Sequence, residues 1–244
     1  MEVLRAIIIV LILILAVYWY RHSPYNTVYE QVGNRQYQVH KLHDTKGAAE
    51  LMSEITNRNR TLIKHLESKY LGESFRGHDP DHGNRIDVVR STDLYYTNPM
   101  ERDVASGLGK VAQREEIQER ITQLIKNYQE SDITEISPTN PNGYTSYTED
   151  KTKLVLCLRK KEPLPDGTYP LEDVNMMMFV VIHELTHMMN QTWGHPYEFW
   201  VLFRFMLQNA AEAGVYQPID YGANPRKYCG MKISYNPYFD RGLK

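Results

Sequence analysis

The feature that most constrains this chain is a pair of histidines four residues apart in an apolar run. His183, Glu184 and His187 form the pattern H-E-x-x-H within residues 173–189, which are apolar almost all round. A run of this kind is typical of a helix buried in the middle of a domain. On a helix, the two imidazoles lie about 40° apart around the axis and one turn apart along it. The pattern therefore predicts a buried helix whose two histidines can reach one metal ion.

The glutamate beside the first histidine indicates hydrolytic chemistry. In zinc hydrolases a carboxylate at the position of Glu184 takes a proton from a metal-bound water, whose pKa zinc has lowered to about 7. Two imidazoles and a carboxylate in so buried a helix would be costly without a partner such as a metal. The alternative is a pair of core histidines satisfied by hydrogen bonds. We expect Zn²⁺ as the cofactor and Glu184 as the catalytic base.

A catalytic zinc needs a third protein ligand and an open fourth position. His195 is the best candidate, because Pro196 is expected to begin a second helix and to hold His195 at its N-cap. Glu198 would then complete a capping box, and Gly214 suits the C-terminal cap of that helix. If His195 only caps the helix, Glu198 or Glu212 would be the third ligand.

The segment after the second histidine carries a family resemblance. His183-Glu184-x-x-His187 is followed by Gly194-His195-x-x-Glu198-Phe199. This arrangement resembles the SprT-like and WLM-domain zinc metallopeptidases, whose third histidine lies in a similar G-H-x-x-E-F segment. Residues 217–233 are similar to predicted metallopeptidases of large double-stranded DNA viruses.

The resemblance implies an α+β zincin-like domain with ligands His183, His187 and His195, catalytic Glu184 and endopeptidase activity. The interval from His187 to His195 is shorter than expected for SprT-like proteins. It also differs from the metzincin pattern H-E-x-x-H-x-x-G-x-x-H.

The N-terminal residues 1–21 predict a membrane anchor. Residues 6–20 are all apolar or aromatic, and Tyr18, Trp19 and Tyr20 lie where an interfacial aromatic belt is expected. The alternative is a secretory signal peptide, but no small-x-small cleavage site follows the apolar run. We expect a single-pass protein of a virion or host membrane. Positive charge is similar on both sides of the anchor, so its orientation is not predicted.

Residues 22–85 predict a juxtamembrane hairpin and helix, and residues 86–244 predict the metallopeptidase domain. The hairpin pairs residues 27–32 with 35–40, and an amphipathic helix spans 46–70. This segment could be a stalk, a lid or part of the domain. Further predicted elements are a strand at 86–89, a turn at 97–109, a helix at 112–130, a strand at 153–158 and a last strand at 231–234. The 153–158 strand is the candidate edge to which an extended substrate would add.

Other residues support weaker hypotheses. His78, Asp79, Asp81 and His82 could bind a second metal, although the surrounding Pro and Gly favour a solvated turn. Cys157 and Cys229 are expected as buried thiols, with one bridge between them as the alternative. Candidate donors to a tetrahedral oxyanion are tyrosines of the C-terminal tail, namely Tyr221, Tyr228 and Tyr235.

These observations predict a membrane-anchored zinc endopeptidase that acts on a protein or peptide. The first alternative is an inactive zincin-fold membrane protein with a structural or interaction role. The second alternative is a zinc hydrolase that is not a peptidase. A formal charge of −2 gives no general attraction to nucleic acid, so a nucleic-acid partner is not expected.

Overall fold

A computed structural model describes residues 2–22, 26–71, 114–140, 143 and 145–243. The predicted strand at 86–89, the turn at 97–109 and the possible metal cluster at 78–82 lie outside the described residues. The described residues form a mixture of helices and small sheets, which confirms the predicted α+β class.

The secondary structure elements are numbered in chain order. The helices are α1 (Glu2–His22), α2 (Thr45–Leu66, continued by a π-helical turn at Glu67–Leu71), α3 (Arg114–Asn127), α4 (Val174–Met189) and α5 (Tyr197–Glu212). The strands are β1 (Thr27–Val32), β2 (Arg35–His40), β3 (Ile133–Glu135), β4 (Tyr147–Glu149), β5 (Lys153–Leu156), β6 (Arg226–Tyr228) and β7 (Met231–Ile233). Short 3-10 turns lie at Glu130–Asp132 and Pro237–Phe239.

The N-terminal helix α1 exposes its apolar side chains from Val3 to Tyr18. Among the residues that the structure describes, no helix combines the length and the apolar character needed to cross a membrane.

The hairpin and the helix after it belong to the same core as the rest of the described chain. β1 pairs with β2 in the predicted register, and Gly33 in the turn has a φ of +58°, as a tight hairpin turn requires. α2 begins where Asp44 accepts a hydrogen bond from the amide of Gly47. α2 contacts both α4 and α5, and its buried face includes Met52 and Leu62. This segment is therefore packed into the domain rather than projecting from it as a stalk.

Strand β5 is the centre of a three-stranded sheet. β3 pairs with it in parallel and β4 pairs with it antiparallel, in the order β3-β5-β4. The prediction that the 153–158 strand offers a free edge to substrate is therefore wrong, because both of its edges are occupied. The strand beside α4 is β4 instead. β4 was missed because its Tyr-Thr-Glu sequence has no apolar alternation and follows a loop rich in Pro, Asn and Gly.

Helix α4 is the predicted H-E-x-x-H helix, and it is buried along most of its length. Asp173 is its N-cap and accepts hydrogen bonds from the amides of Asn175 and Met176. Glu172 lies just before the helix and accepts a hydrogen bond from the amide of Cys229. The interior position of α4 lets it carry ligands on a rigid element.

The start of helix α5 differs from the prediction and its end agrees with it. Pro196, rather than His195, is the N-cap, and no side chain caps the helix. Glu198 forms a buried ion pair with Arg120 of α3, so the predicted capping box is wrong. At the other end Gly214 has a φ of +70°. The amide of Gly214 donates to the carbonyl of Ala211, and the amide of Val215 donates to the carbonyl of Ala210. These two bonds form a Schellman motif, so the predicted C-terminal cap at Gly214 is confirmed.

A disulfide joins Cys157, just after β5, to Cys229 in the turn between β6 and β7. The expectation of two buried thiols was wrong, and the alternative of one bridge is what the structure contains. Both residues are buried. The bridge ties the C-terminal hairpin to the central sheet across 72 positions of sequence.

Candidate metal centre

Three histidines from α4 and from the start of α5 converge on one point. The Nε2 atoms of His183 and His187 are 3.2 Å apart, those of His183 and His195 are 3.0 Å apart, and those of His187 and His195 are 3.1 Å apart. Within the described residues, these three histidines are the group of side chains close enough together to bind one metal ion. His183 and His187 are partly buried and His195 is exposed, so the cluster is open on the side of His195.

The geometry of this cluster fits a tetrahedral zinc site. Zinc–nitrogen distances of about 2.0–2.1 Å at tetrahedral angles place two imidazole nitrogens about 3.3 Å apart. The observed separations of 3.0–3.2 Å lie close to that value. Three neutral imidazoles are also a donor set that zinc prefers. The structure thus brings together the three predicted ligands.

The fallback ligands Glu198 and Glu212 are bound elsewhere. Glu198 is 1% exposed and pairs with Arg120, whereas Glu212 accepts a hydrogen bond from Lys69. Neither belongs to the histidine cluster.

The surroundings keep the three imidazoles neutral. Burial lowers the pKa of His183 well below its usual value, and the neighbouring His187 and His195 lower it further. Burial, followed by the influence of His195 and Lys151, lowers the pKa of His187 to about 4. Partial desolvation of its ring also lowers the pKa of His195, although the residue as a whole is exposed. Because a metal binds the neutral imidazole, this environment lets each ring present one unprotonated nitrogen at neutral pH.

Glu184 lies beside the cluster and is 5% exposed. Burial raises the pKa of its carboxyl group to about 7, and hydrogen bonds from Thr148 act in the opposite direction. The hydroxyl of Thr148 lies 2.7 Å from Oε2 of Glu184 and 3.2 Å from its backbone carbonyl. Thr148 is the central residue of β4, so the edge strand directly contacts the predicted base. The sequence analysis did not predict a role for Thr148, because no pattern in the neighbouring residues indicates that it contacts Glu184.

Phe199 packs against all three histidines. Its ring centroid lies 4.8 Å from that of His183, 4.4 Å from that of His187 and 4.6 Å from that of His195. Phe199 is fully buried. Phe199 is the phenylalanine of the G-H-x-x-E-F segment, so the family resemblance included this residue. The resemblance did not predict its contacts with the histidines. Its ring limits the orientations that the imidazoles can take.

The pair of Arg120 and Glu198 links three helices behind the cluster. Arg120 of α3 bonds to the carboxylate of Glu198 in α5 and lies 3.4 Å from Oδ1 of Asn190, the C-cap of α4. Both charged groups are at least 95% buried. A buried charge of one sign is tolerated when its partner is well placed. This pair therefore connects α3 with α5 next to the end of α4.

A cavity of about 590 Å³ opens above the histidines. Its lining includes β4 with the residues just before it, and β7 with the residues after it. The three histidines and Glu184 also line it. Its apolar and aromatic lining includes Phe179, Val180, Trp193, Trp200, Phe203, Met231, Ile233 and Tyr235. The cleft therefore offers apolar contacts beside the histidine cluster.

The three candidate oxyanion donors occupy different places. Tyr221 lines another cavity, on the side of Glu172. Tyr228 is buried, bonds to the hydroxyl of Ser146 and donates to the carbonyl of Cys157. Tyr235 lines the cleft, and its hydroxyl donates to Asp240 at 2.7 Å. Tyr228 and Tyr235 both line the cleft, and the single hydroxyl proton of each is donated to another acceptor.

Comparison with known proteins finds two viral relatives. An uncharacterised protein of Acanthamoeba polyphaga mimivirus is 38% identical over 95 residues, which are 38% of this chain and 46% of that protein. An uncharacterised protein of Invertebrate iridescent virus 6 is 31% identical over 74 residues, which are 30% of this chain and 40% of that protein. The chain spans less than half the length of these relatives. Their names state no activity. No protein-family model matches the chain, and no solved structure matches it significantly.

Proposed function

We propose that this protein is a zinc-dependent endopeptidase with a zincin-like domain. The observation that supports this most directly is the triangle of imidazole nitrogens 3.0–3.2 Å apart, at the floor of a cleft, with a buried carboxyl group beside it. His183, His187 and His195 would hold the ion. Zinc bound there would polarise a peptide carbonyl and lower the pKa of a coordinated water.

Glu184 is the proposed general acid and base. Its carboxylate would accept a proton from the attacking water and later give that proton to the leaving amine. A pKa of about 7 suits both transfers near neutral pH. The hydroxyl of Thr148 at 2.7 Å holds the carboxylate in place between the two transfers.

Strand β4 is the proposed binding site for the substrate backbone. It is an edge of the three-stranded sheet and forms a wall of the cleft. An extended peptide can add to such an edge through main-chain hydrogen bonds. The contact between Thr148 and Glu184 then places the peptide backbone close to the base. This arrangement favours a peptide over a small-molecule substrate.

The test separates metal binding from hydrolysis. Glu184→Gln should keep about one zinc per chain and lose cleavage of a fluorogenic peptide library, whereas His187→Ala should lose both. Glu50→Gln, at an exposed carboxylate of α2, is the matched control and should change neither. Undiminished cleavage by Glu184→Gln would refute the assigned base. A protein that holds zinc yet cleaves no peptide would favour the structural alternative.

We also propose that α1 attaches the domain to a virion or host membrane, with a protein at that membrane as substrate. The exposed apolar side chains from Val3 to Tyr18 support this proposal. A net charge of −2 does not favour a substrate bound to DNA. Flotation with anionic and neutral liposomes tests it. The full chain should float with both, and a variant without residues 2–22 should remain in the dense fraction.

A further inference from the structure

The third histidine depends on a loop, whereas the first two lie on a buried helix. Residues 190–194 connect α4 to His195, and Gln191, Trp193 and Gly194 are exposed. Gly194 has a φ of +77°, so the backbone turns just before the ligand. Exposed loops of this kind are ordinarily more mobile than helices. Something must therefore hold this loop if His195 is to stay within 3.1 Å of its partners.

Lys151 bonds to three consecutive carbonyls of this loop. Its Nζ lies 2.7 Å from the oxygen of Asn190, 2.8 Å from that of Gln191 and 3.1 Å from that of Thr192. The same Nζ lies 4.8 Å from the centre of the Trp193 ring, which is within the range of a cation–π contact. One side chain thus contacts four successive residues of the loop.

The bonds of Lys151 leave it no free donor. An ammonium group has three N–H donors, and three carbonyl acceptors occupy them. Lys151 lines the cleft, but it cannot donate to a substrate without releasing the loop. Its backbone has a φ of +58°, which is uncommon for a residue other than glycine. The turn between β4 and β5 therefore holds an unfavourable conformation at the residue that reaches the loop.

We propose that Lys151 is a positioning residue that fixes His195 at the metal centre by donating hydrogen bonds to the backbone carbonyls of residues 190–192. The inference rests on the proposed metal site. Groups that orient ligands in this way change metal affinity by about 10–100-fold when they are removed. Loss of Lys151 should therefore weaken zinc binding to that extent and should alter the coordination geometry.

The experiment uses the full chain with zinc or cobalt alone as the probe. Zinc affinity is measured by competition with a chromophoric chelator, and coordination by the visible absorption of the cobalt-loaded protein. Lys151→Met should bind zinc about 10–100-fold more weakly and give a changed cobalt spectrum. Lys151→Arg, which keeps the charge and several donors, should recover part of the affinity. Lys153→Met is the matched control, because Lys153 lies in the same hairpin and pairs with Glu149 at the surface.

A double-mutant cycle distinguishes positioning from a general loss of stability. If Lys151 acts through His195, Lys151→Met should cost no further zinc affinity in a His195→Ala background. An equal loss in both backgrounds would overturn the proposal, as would unchanged affinity and an unchanged cobalt spectrum in Lys151→Met. If Lys151→Met does not fold, Lys151→Gln takes its place under the same criteria. Absence of zinc from the native protein would overturn the metal site itself, which is a separate result.

Discussion

Removal of the disulfide between Cys157 and Cys229 should destabilise the protein by a calculable amount. The two residues are 72 positions apart, and the chain-entropy relation for a loop of that length gives about 4 kcal/mol at 25 °C. The native fold should survive the loss, because other bonds hold the same hairpin. Tyr228 donates to the carbonyl of Cys157, and its hydroxyl is also hydrogen-bonded to that of Ser146. The reduction in stability should therefore arise mainly in the unfolded chain.

Urea denaturation of the double variant Cys157→Ala and Cys229→Ala measures this effect. With a slope of about 2 kcal/mol per molar urea, 4 kcal/mol lowers the midpoint by about 2 M. A reductant should bring the native protein to a similar midpoint and leave the variant unchanged. Zinc binding should be retained, because the ligands lie on α4 and at the start of α5. A loss of under about 1 kcal/mol would refute the entropic reasoning.

Three further predictions concern charge and protons. Arg120→Met should lower stability by about 3–5 kcal/mol in thermal denaturation, because the Glu198 carboxylate would be left buried without its partner; a loss below about 1 kcal/mol would contradict this. Zinc affinity should decline less between about pH 8 and pH 6 than it would with three histidines of the usual pKa of 6.5, because burial lowers the pKa of each histidine; a steep decline in a chelator competition series would count against it. Thr148→Val removes a hydrogen bond that lowers the pKa of Glu184. A base must be unprotonated to act, so the acidic limb of the peptide hydrolysis profile should move to higher pH, and a shift to lower pH would contradict the assignment.

The features that were predicted correctly from the sequence depend on residues that are close together in the chain. The hairpin around Gly33 and the helix stop at Gly214 follow from residues that tolerate positive φ. The histidine cluster follows from helical spacing and from a proline just after His195.

The missed features depend on pairs that are distant in sequence. Lys151 reaches a loop about forty positions ahead of it, and Thr148 reaches Glu184 across 36 positions. Arg120 binds Glu198, which is 78 positions away, and this contact replaces the predicted capping box. Nothing in the neighbourhood of these residues identifies such partners, because tertiary packing selects them. The edge strand β4 was missed for the same reason, since its pairing with β5 defines it more than its own three residues do.

The closeness of the three ligands in sequence has a consequence for the order of folding. His183 and His195 are only 12 positions apart, so the entropic cost of closing the chain around a metal is small. Contacts of low sequence separation form early. One helix and the turn after it could therefore capture zinc while the remainder of the chain is still unfolded. The walls of the cleft, which are joined by pairs as distant as Ser146 and Tyr228, 82 positions apart, would assemble afterwards around that centre.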